Sequence, residues 1–174
     1  MDWAKAKTIL IIVLLALCLV LTGVLVARDL KMANQIAENK EAALSYLDSL
    51  GVVVEAEIPT KRVKLPVLFV EYNSARTDLD ELTYKKYLVY TNDVSSSKYI
   101  ITAEGEKTAE VMPASSAIVE AASRFSSQDL RITGVTLCYY IDNNAVSVSN
   151  GSSDTAFPAW RVETSAGSCF VLAY

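Results

Sequence analysis

Residues Thr8–Ala27 read TILIIVLLALCLVLTGVLVA, a run of twenty residues without a charged side chain or a proline. A helix of this length spans about 30 Å, the thickness of the hydrocarbon core of a bilayer. Because a helix satisfies its backbone polar groups internally, such a run can cross lipid. The sequence therefore predicts a transmembrane helix over residues 8–27, preceded by a cytoplasmic tail over residues 1–7.

The flanks of this run favour a retained anchor over a cleaved signal peptide. Signal peptides have apolar regions of about 7–15 residues and a small-residue cleavage site, and Leu25-Val26-Ala27 is a poor site. A short tail before a large translocated domain favours a cytoplasmic N-terminus, although the bias in flanking positive charge is slight. We therefore expect a single-pass protein of the cell membrane, its C-terminal domain outside. The predicted membrane-interface anchors are Trp3, Lys5, Lys7 and Arg28.

The residues after the anchor predict an α+β architecture. Residues 28–50 are rich in helix formers and predict a juxtamembrane helix that ends at Gly51, with Val52 supplying the hydrophobic contact of a Schellman motif. Over residues 51–174 we predict an extracytoplasmic domain with a mostly antiparallel β-sheet and one or two packed helices. Strands are predicted at 52–58, 65–72, 86–90, 98–103, 107–112, 131–141, 159–163 and 169–174. A short helix is predicted from about residue 77, and a second helix after Pro113, capped by Ser115 or Ser116. We also expect a hairpin turn at 104–106 and a bend in the strand at Gly134.

Composition excludes several classes of function. The chain has no histidine, which removes Ser-His-Asp and Cys-His catalysis and most zinc sites. Glycine-rich nucleotide loops and paired CxxC motifs do not occur in the sequence. The net charge is −4 without a long basic cluster, so nucleic acid is not an expected partner. We predict a protein that is not an enzyme, with no cofactor and no metal site.

Two sets of residues leave alternatives open at this stage. Cys138 and Cys169 both lie in predicted strands, where they form either a disulfide or two reduced, buried thiols. The second set consists of five tyrosines, whose rings either line a recognition surface or only pack the sheet. They are Tyr84, Tyr87, Tyr90, Tyr139 and Tyr140.

The apolar run carries a stripe of mostly small residues. Ala16, Val20, Gly23 and Ala27 follow one another at i, i+4, i+7 and i+11, which places them along one side of a helix. Small residues allow helix backbones to approach closely in lipid, where packing drives association. The stripe is a hypothetical contact surface for a second transmembrane helix.

The opening MDWAKAKTILII is not required by any physical rule, and it resembles the N-terminus of the YycI family. Further segments are similar to that family: the strands and Ile-Pro turn of VVVEAEIPTKRVKLPVLFVEY, the helix AIVEAASRF, and the closing FPAWRVETSAGSCFVLAY. YycI proteins, with their YycH relatives, are membrane-anchored regulators of the WalK (YycG) sensor histidine kinase in Gram-positive bacteria. The resemblance implies a single membrane pass with the C-terminal domain outside.

The resemblance also implies a non-enzymatic function in a two-component system of cell wall homeostasis. The expected partners are the lipid bilayer, a WalK-like kinase and a YycH-like protein, contacted largely through membrane helices, and the expected effect is altered autophosphorylation. We expect the stripe of small residues to carry part of that contact. One rival is a membrane-anchored extracytoplasmic ligand-binding or inhibitory module unrelated to a kinase. A surface hydrolase that uses Ser or Asp without His is a more distant rival.

Overall fold

The structure is a computed structural model that describes residues 3–75, 81–91, 96–125, 129–141 and 153–174. The chain divides into two compact units, Met1–Asn39 and Lys40–Tyr174. Helix α1 extends from Trp3 to Ser49, and helix α2 from Ala114 to Arg124. The strands are β1 (Val53–Val54), β2 (Lys64–Tyr72), β3 (Thr83–Tyr84), β4 (Tyr87–Thr91), β5 (Tyr99–Glu110), β6 (Arg131–Ile141), β7 (Ser153–Thr164) and β8 (Gly167–Leu172), with a 3₁₀ turn at Ser96–Lys98.

Helix α1 ends in the Schellman motif that the sequence predicts. Gly51 has a φ of 77°, and its amide donates to the Asp48 carbonyl at 2.9 Å. The amide of Val52 donates to the carbonyl of Leu47, also at 2.9 Å. Leu47 is fully buried and Val52 packs against the same core cluster, which supplies the hydrophobic contact of this motif.

The sheet is built around the antiparallel pair β6–β7. Strand β7 pairs with β6 along one edge, and its other edge is shared by β2 and β8. Strand β6 likewise uses its second edge twice, for parallel pairs with β1 and β4. The strand order is β3-β4-β6-β7-β2-β5, with β1 and β8 off this path. The α+β class and the mostly antiparallel sheet are confirmed.

The sheet curls around the main core. The hydroxyl of Tyr139 on β6 reaches across β7 and donates to the carbonyl of Pro66 on β2 at 2.9 Å. Helix α2 packs its buried face, which includes Ile118 and Ala121, against this side of the sheet. Trp160 on β7 donates from its indole nitrogen to the carbonyl of Met112 at 2.8 Å. These contacts connect the sheet to the segment that leads into α2.

Strand β5 differs from the sequence-based prediction. The predicted hairpin at 104–106 is wrong, because residues 99–110 form one strand that pairs antiparallel with β2. The ladder has register shifts between Pro66 and Leu68 and between Phe69 and Val70. A Cβ at Gly105 would lie 3.1 Å from the carbonyl oxygen of Val67. The glycine therefore permits a close backbone approach at an irregular ladder, as strand glycines often do.

Three smaller predictions are also wrong. Strand β1 covers only Val53–Val54 and not 52–58, because its parallel ladder with β6 ends at Ile132, whose carbonyl accepts from the amides of both Glu55 and Ala56. Residues 81–86 contain no helix, and β3 and β4 form a hairpin there. Helix α2 begins at Ala114 after an N-cap at Pro113, and Ser115 is a buried helical residue. The predicted helix start at 77 and the polar loop at 142–152 lie outside the described residues.

The positive φ of Gly51 predicts a cost for any residue with a Cβ. We expect Gly51→Ala to lower the free energy of unfolding by about 1–2 kcal/mol, since a left-handed backbone is strained for L-residues. The measurement is urea unfolding of the full chain in detergent, followed by near-UV circular dichroism. Ser49→Ala in the same helical turn is the control and should change the value by less than about 0.5 kcal/mol. Equal stability of the two variants would contradict the predicted strain.

Candidate functional site: the exposed face of helix α1

Helix α1 contains the segment that, by length and composition, is a candidate membrane span among the described residues. Its large apolar side chains from Leu10 to Leu30 are between 52% and 74% exposed. Monomeric proteins in water rarely expose a continuous apolar surface of this size. Lipid, or lipid together with another helix, is therefore the expected environment of this segment.

The predicted stripe lies along α1 and is exposed. Ala16, Val20, Gly23 and Ala27 are all exposed, and at about 100° per residue they fall within a sector of about 60°. Apart from its two chain neighbours and the backbone of its own helix, no heavy atom lies within 4 Å of a Cβ built at Gly23. The structure thus brings the four residues onto one side of the helix and shows room for a larger side chain.

The membrane-interface residues are placed only in part. Lys7 and Arg28 are exposed on α1. The side chains of Trp3 and Lys5 lie outside the described part of the chain, although the backbone of both is helical. Beyond Arg28 the line of the stripe continues through Lys31, Asn34 and Glu38, which with Gln35 border a shallow open groove on α1. Sequence reasoning missed this polar continuation, although the helical spacing from Ala27 would have revealed it.

The five tyrosines do not form one recognition surface. Tyr84 and Tyr87 pack edge-on against Tyr139 on the concave side of the sheet. Tyr90 and Tyr140 lie on the other side, where both contact Phe170. Tyr84, Tyr139 and Tyr140 are buried, at 7%, 0% and 8% exposed. The packing alternative is therefore the one that the structure supports.

The second face of the sheet has a small core of its own. The ring of Tyr140 stacks on that of Phe170 at 4.6 Å, and Cys138 and Ala159 are buried beneath this cluster. The guanidinium of Arg161 lies 5.0 Å from the ring centroid of Tyr90 and donates to its hydroxyl at 3.2 Å. Arg161 also pairs with Glu163 at 3.0 Å, so its charge is balanced.

The structure also distinguishes the two alternatives for the cysteines. Cys138, Cys169 and Cys18 are free thiols. Cys138 belongs to the second face, whereas Cys169 packs against the main core, and strand β7 separates β6 from β8. Two thiols on opposite faces of a sheet cannot reach disulfide geometry. Burial raises the pKa of both thiols, that of Cys138 to about 12.

The described residues contain no group of three or more His, Cys, Asp or Glu side chains that could hold a metal ion. The carboxylate of Glu55 pairs with Arg131 at 2.9 Å, and that of Glu110 pairs with Arg62 at 2.7 Å. Both are exposed ion pairs of the kind that is common on a solvated protein surface.

No protein-family model, curated protein or solved structure matches this chain. The resemblance to YycI therefore remains a prediction from the residues.

The pKa of Cys138 predicts how stability depends on pH. Between pH 9.0, the ordinary thiol value, and about 12, the folded state holds more protons than the unfolded state. The free energy of unfolding therefore falls as pH rises through this window, by at most about 1.4 kcal/mol per pH unit from this group. Urea unfolding of the full chain at pH 8, 9 and 10 measures the slope. Cys138→Ala should make it shallower, and Cys18→Ala, outside the sheet, should not.

Proposed function

We propose that this protein is a membrane-anchored, non-enzymatic regulator whose helix α1 binds a transmembrane helix of a partner. The observation that carries the proposal is the stripe Ala16, Val20, Gly23 and Ala27, which lies exposed within an exposed apolar helix. Association of helices in lipid depends on close backbone approach. Gly23 has open space on the side where its Cβ would be, so a neighbouring helix can approach there.

The proposed partner is a WalK-like sensor histidine kinase, together with a YycH-like protein. The resemblance of MDWAKAKTILII and of the later segments to YycI supports this choice. The C-terminal α+β domain is proposed to lie outside the cell and to add extracytoplasmic contacts. Binding changes kinase activity only if the helix has different affinities for the two signalling states of the kinase.

The stripe makes the proposal testable by substitution. We expect the double variant Gly23→Leu with Ala27→Leu to weaken association with the kinase about tenfold, because two large side chains separate the helix backbones. The full chain and the sensor kinase of the same genome are co-expressed, solubilised in mild detergent and co-purified. Autophosphorylation of the kinase in the recovered membranes provides the second readout.

The matched control is Cys18→Leu, also a small-to-large change in the apolar run. Cys18 follows Ala16 by two residues, which on an ideal helix places it about 160° around the axis from Ala16 and so on the side opposite the stripe. Its recovery with the kinase should equal that of the unchanged protein. Equal recovery of the double variant and of this control would show that the stripe does not bind the kinase.

An anchored ligand-binding or inhibitory module is the second candidate. The observation that favours it is the group of exposed apolar side chains on the sheet domain, Phe69, Leu172 and Tyr174, at 41%, 40% and 60% exposed. We expect replacement of residues 8–27 by an unrelated transmembrane helix to abolish the function of the protein, measured as rescue of the phenotype of a strain that lacks it. Retained function would favour the module, because its action would depend on the sheet domain and not on the sequence of the anchor.

A further inference from the structure

The β3–β4 hairpin lies at one margin of the sheet. Its ladder to β6 consists of three parallel residue pairs, from Val89 with Tyr139 to Thr91 with Ile141. The neighbouring β6–β7 ladder has nine pairs. The hairpin therefore attaches to the domain through fewer backbone contacts than the strands at the centre of the sheet.

The hairpin buries a hydroxyl that has no hydrogen-bond acceptor. Tyr84 is 7% exposed, and its hydroxyl oxygen is the buried side-chain atom of the described residues that lacks a partner at hydrogen-bonding geometry. The ammonium of Lys85 lies 4.6 Å from the centroid of the Tyr84 ring, and its interaction with the Tyr84 hydroxyl raises the pKa of Lys85. An ammonium only donates, so it leaves the hydroxyl proton without an acceptor. Closing the hairpin thus removes this group from water without giving it an acceptor, which is unfavourable.

The turn of the same hairpin has a strained backbone. Lys85 and Lys86 connect Tyr84 to Tyr87, which face each other in the ladder. Lys85 has a φ of 56° and is one of two non-glycine residues with a positive φ in the described part of the chain. Hairpin turns of this kind favour glycine at a left-handed position, because a Cβ is strained there.

Apolar contacts oppose these two unfavourable terms. Leu82 and Val89 are buried in the main core, and the Val89 amide donates to the Leu82 carbonyl at 2.9 Å. The closed hairpin is therefore the stable state. However, the unpaired hydroxyl and the left-handed lysine reduce the free energy that is needed to open it, and neither feature occurs in the β6–β7 ladder.

We propose that residues 82–91 form a flap that detaches from the sheet and unfolds, breaking its own Leu82–Val89 hydrogen bond, while β6 and β7 remain paired. Regions with weak attachment open by sub-global unfolding more readily than the rest of a domain. Opening exposes the ring of Tyr139, which is fully buried when the flap is closed. It also frees the backbone edge of β6 at residues 139–141.

Native-state hydrogen exchange on the full chain in nanodiscs tests the flap directly. The reporter is the amide of Val89, and the reference amides are those of the β6–β7 ladder. We expect the protection factor of Val89 to be at least about tenfold below the highest values in β6–β7. Equal protection would mean that the hairpin opens only when the whole domain unfolds, which would overturn the proposal.

Substitutions at the hairpin test the cause of the opening. Tyr84→Phe keeps the ring and removes the unpaired hydroxyl, so it should raise the protection of Val89 about tenfold. Tyr87→Phe, at a half-buried ring against the same Tyr139, is the control and should leave it unchanged. Lys85→Gly should also raise protection, whereas Lys86→Gly should not. Unchanged protection in both Tyr84→Phe and Lys85→Gly would refute the proposed cause.

A substitution far from the hairpin tests its independence. Ile118→Val removes one methyl group from a fully buried side chain of α2 and should lower the protection of the β6–β7 amides about fivefold. Because flap opening leaves α2 in place and is more frequent than global unfolding, the protection of Val89 should stay the same within about twofold. A parallel fall at Val89 would show that the hairpin and the central strands open together.

Discussion

The antiparallel pairing of β6 with β7 is the interaction on which the rest of the C-terminal domain depends. Each of the two strands offers a second edge, and each of those edges holds two further strands. The pairing also sets the side-chain faces, since residues directly opposite each other project to the same side. Leu137 and Trp160 share the main core in this way, and Cys138 and Ala159 share the second. One ladder therefore determines the composition of two cores.

The apolar side chains on the two faces of the sheet are covered by different kinds of groups. On the concave side, α2 and the end of α1 at Leu47 cover the sheet with aliphatic side chains. On the second side no helix lies over the described strands, and aromatic rings lie over the small residues of β6 and β7. The stacked pair of Tyr140 and Phe170 contributes an attraction of about 0.5–1.5 kcal/mol beyond its area burial. On this face, aromatic rings and the side chain of Arg161, whose charge is paired with Glu163, thus take the place of a covering helix.

Helix α1 obeys a different constraint. From Leu10 to Leu30 its large apolar side chains are exposed, so this segment depends on surroundings that the chain itself does not provide. This segment is a candidate membrane span; lipid would satisfy its aliphatic surface, but a stripe of small residues gains from a partner helix that approaches closely. The proposed contact with a second helix follows from this requirement, whereas the proposed regulation of a kinase rests on the resemblance to YycI, and the hairpin flap concerns the other unit of the chain. Failure of one proposal would leave the other in place.

The sequence by itself determined the elements whose cause is local. The apolar run, the helix that ends at Gly51 and the strand over 131–141 all follow from composition, spacing and backbone rules. The stripe on α1 also follows from helical spacing, since a single helix has no other element to rearrange it. The biological partner of the stripe is a prediction from resemblance alone.

Only the tertiary structure decided the features that depend on distant neighbours. Strand β5 runs through Gly105 without a turn because β2 offers a long edge to pair with. Cys138 and Cys169 are separated because alternation along β6 and the position of β8 place them on opposite faces. The tyrosines around Tyr139 are buried because the sheet curls, which single-strand periodicity does not reveal. Periodicity records which way a side chain points, whereas strand order and curvature decide what it meets.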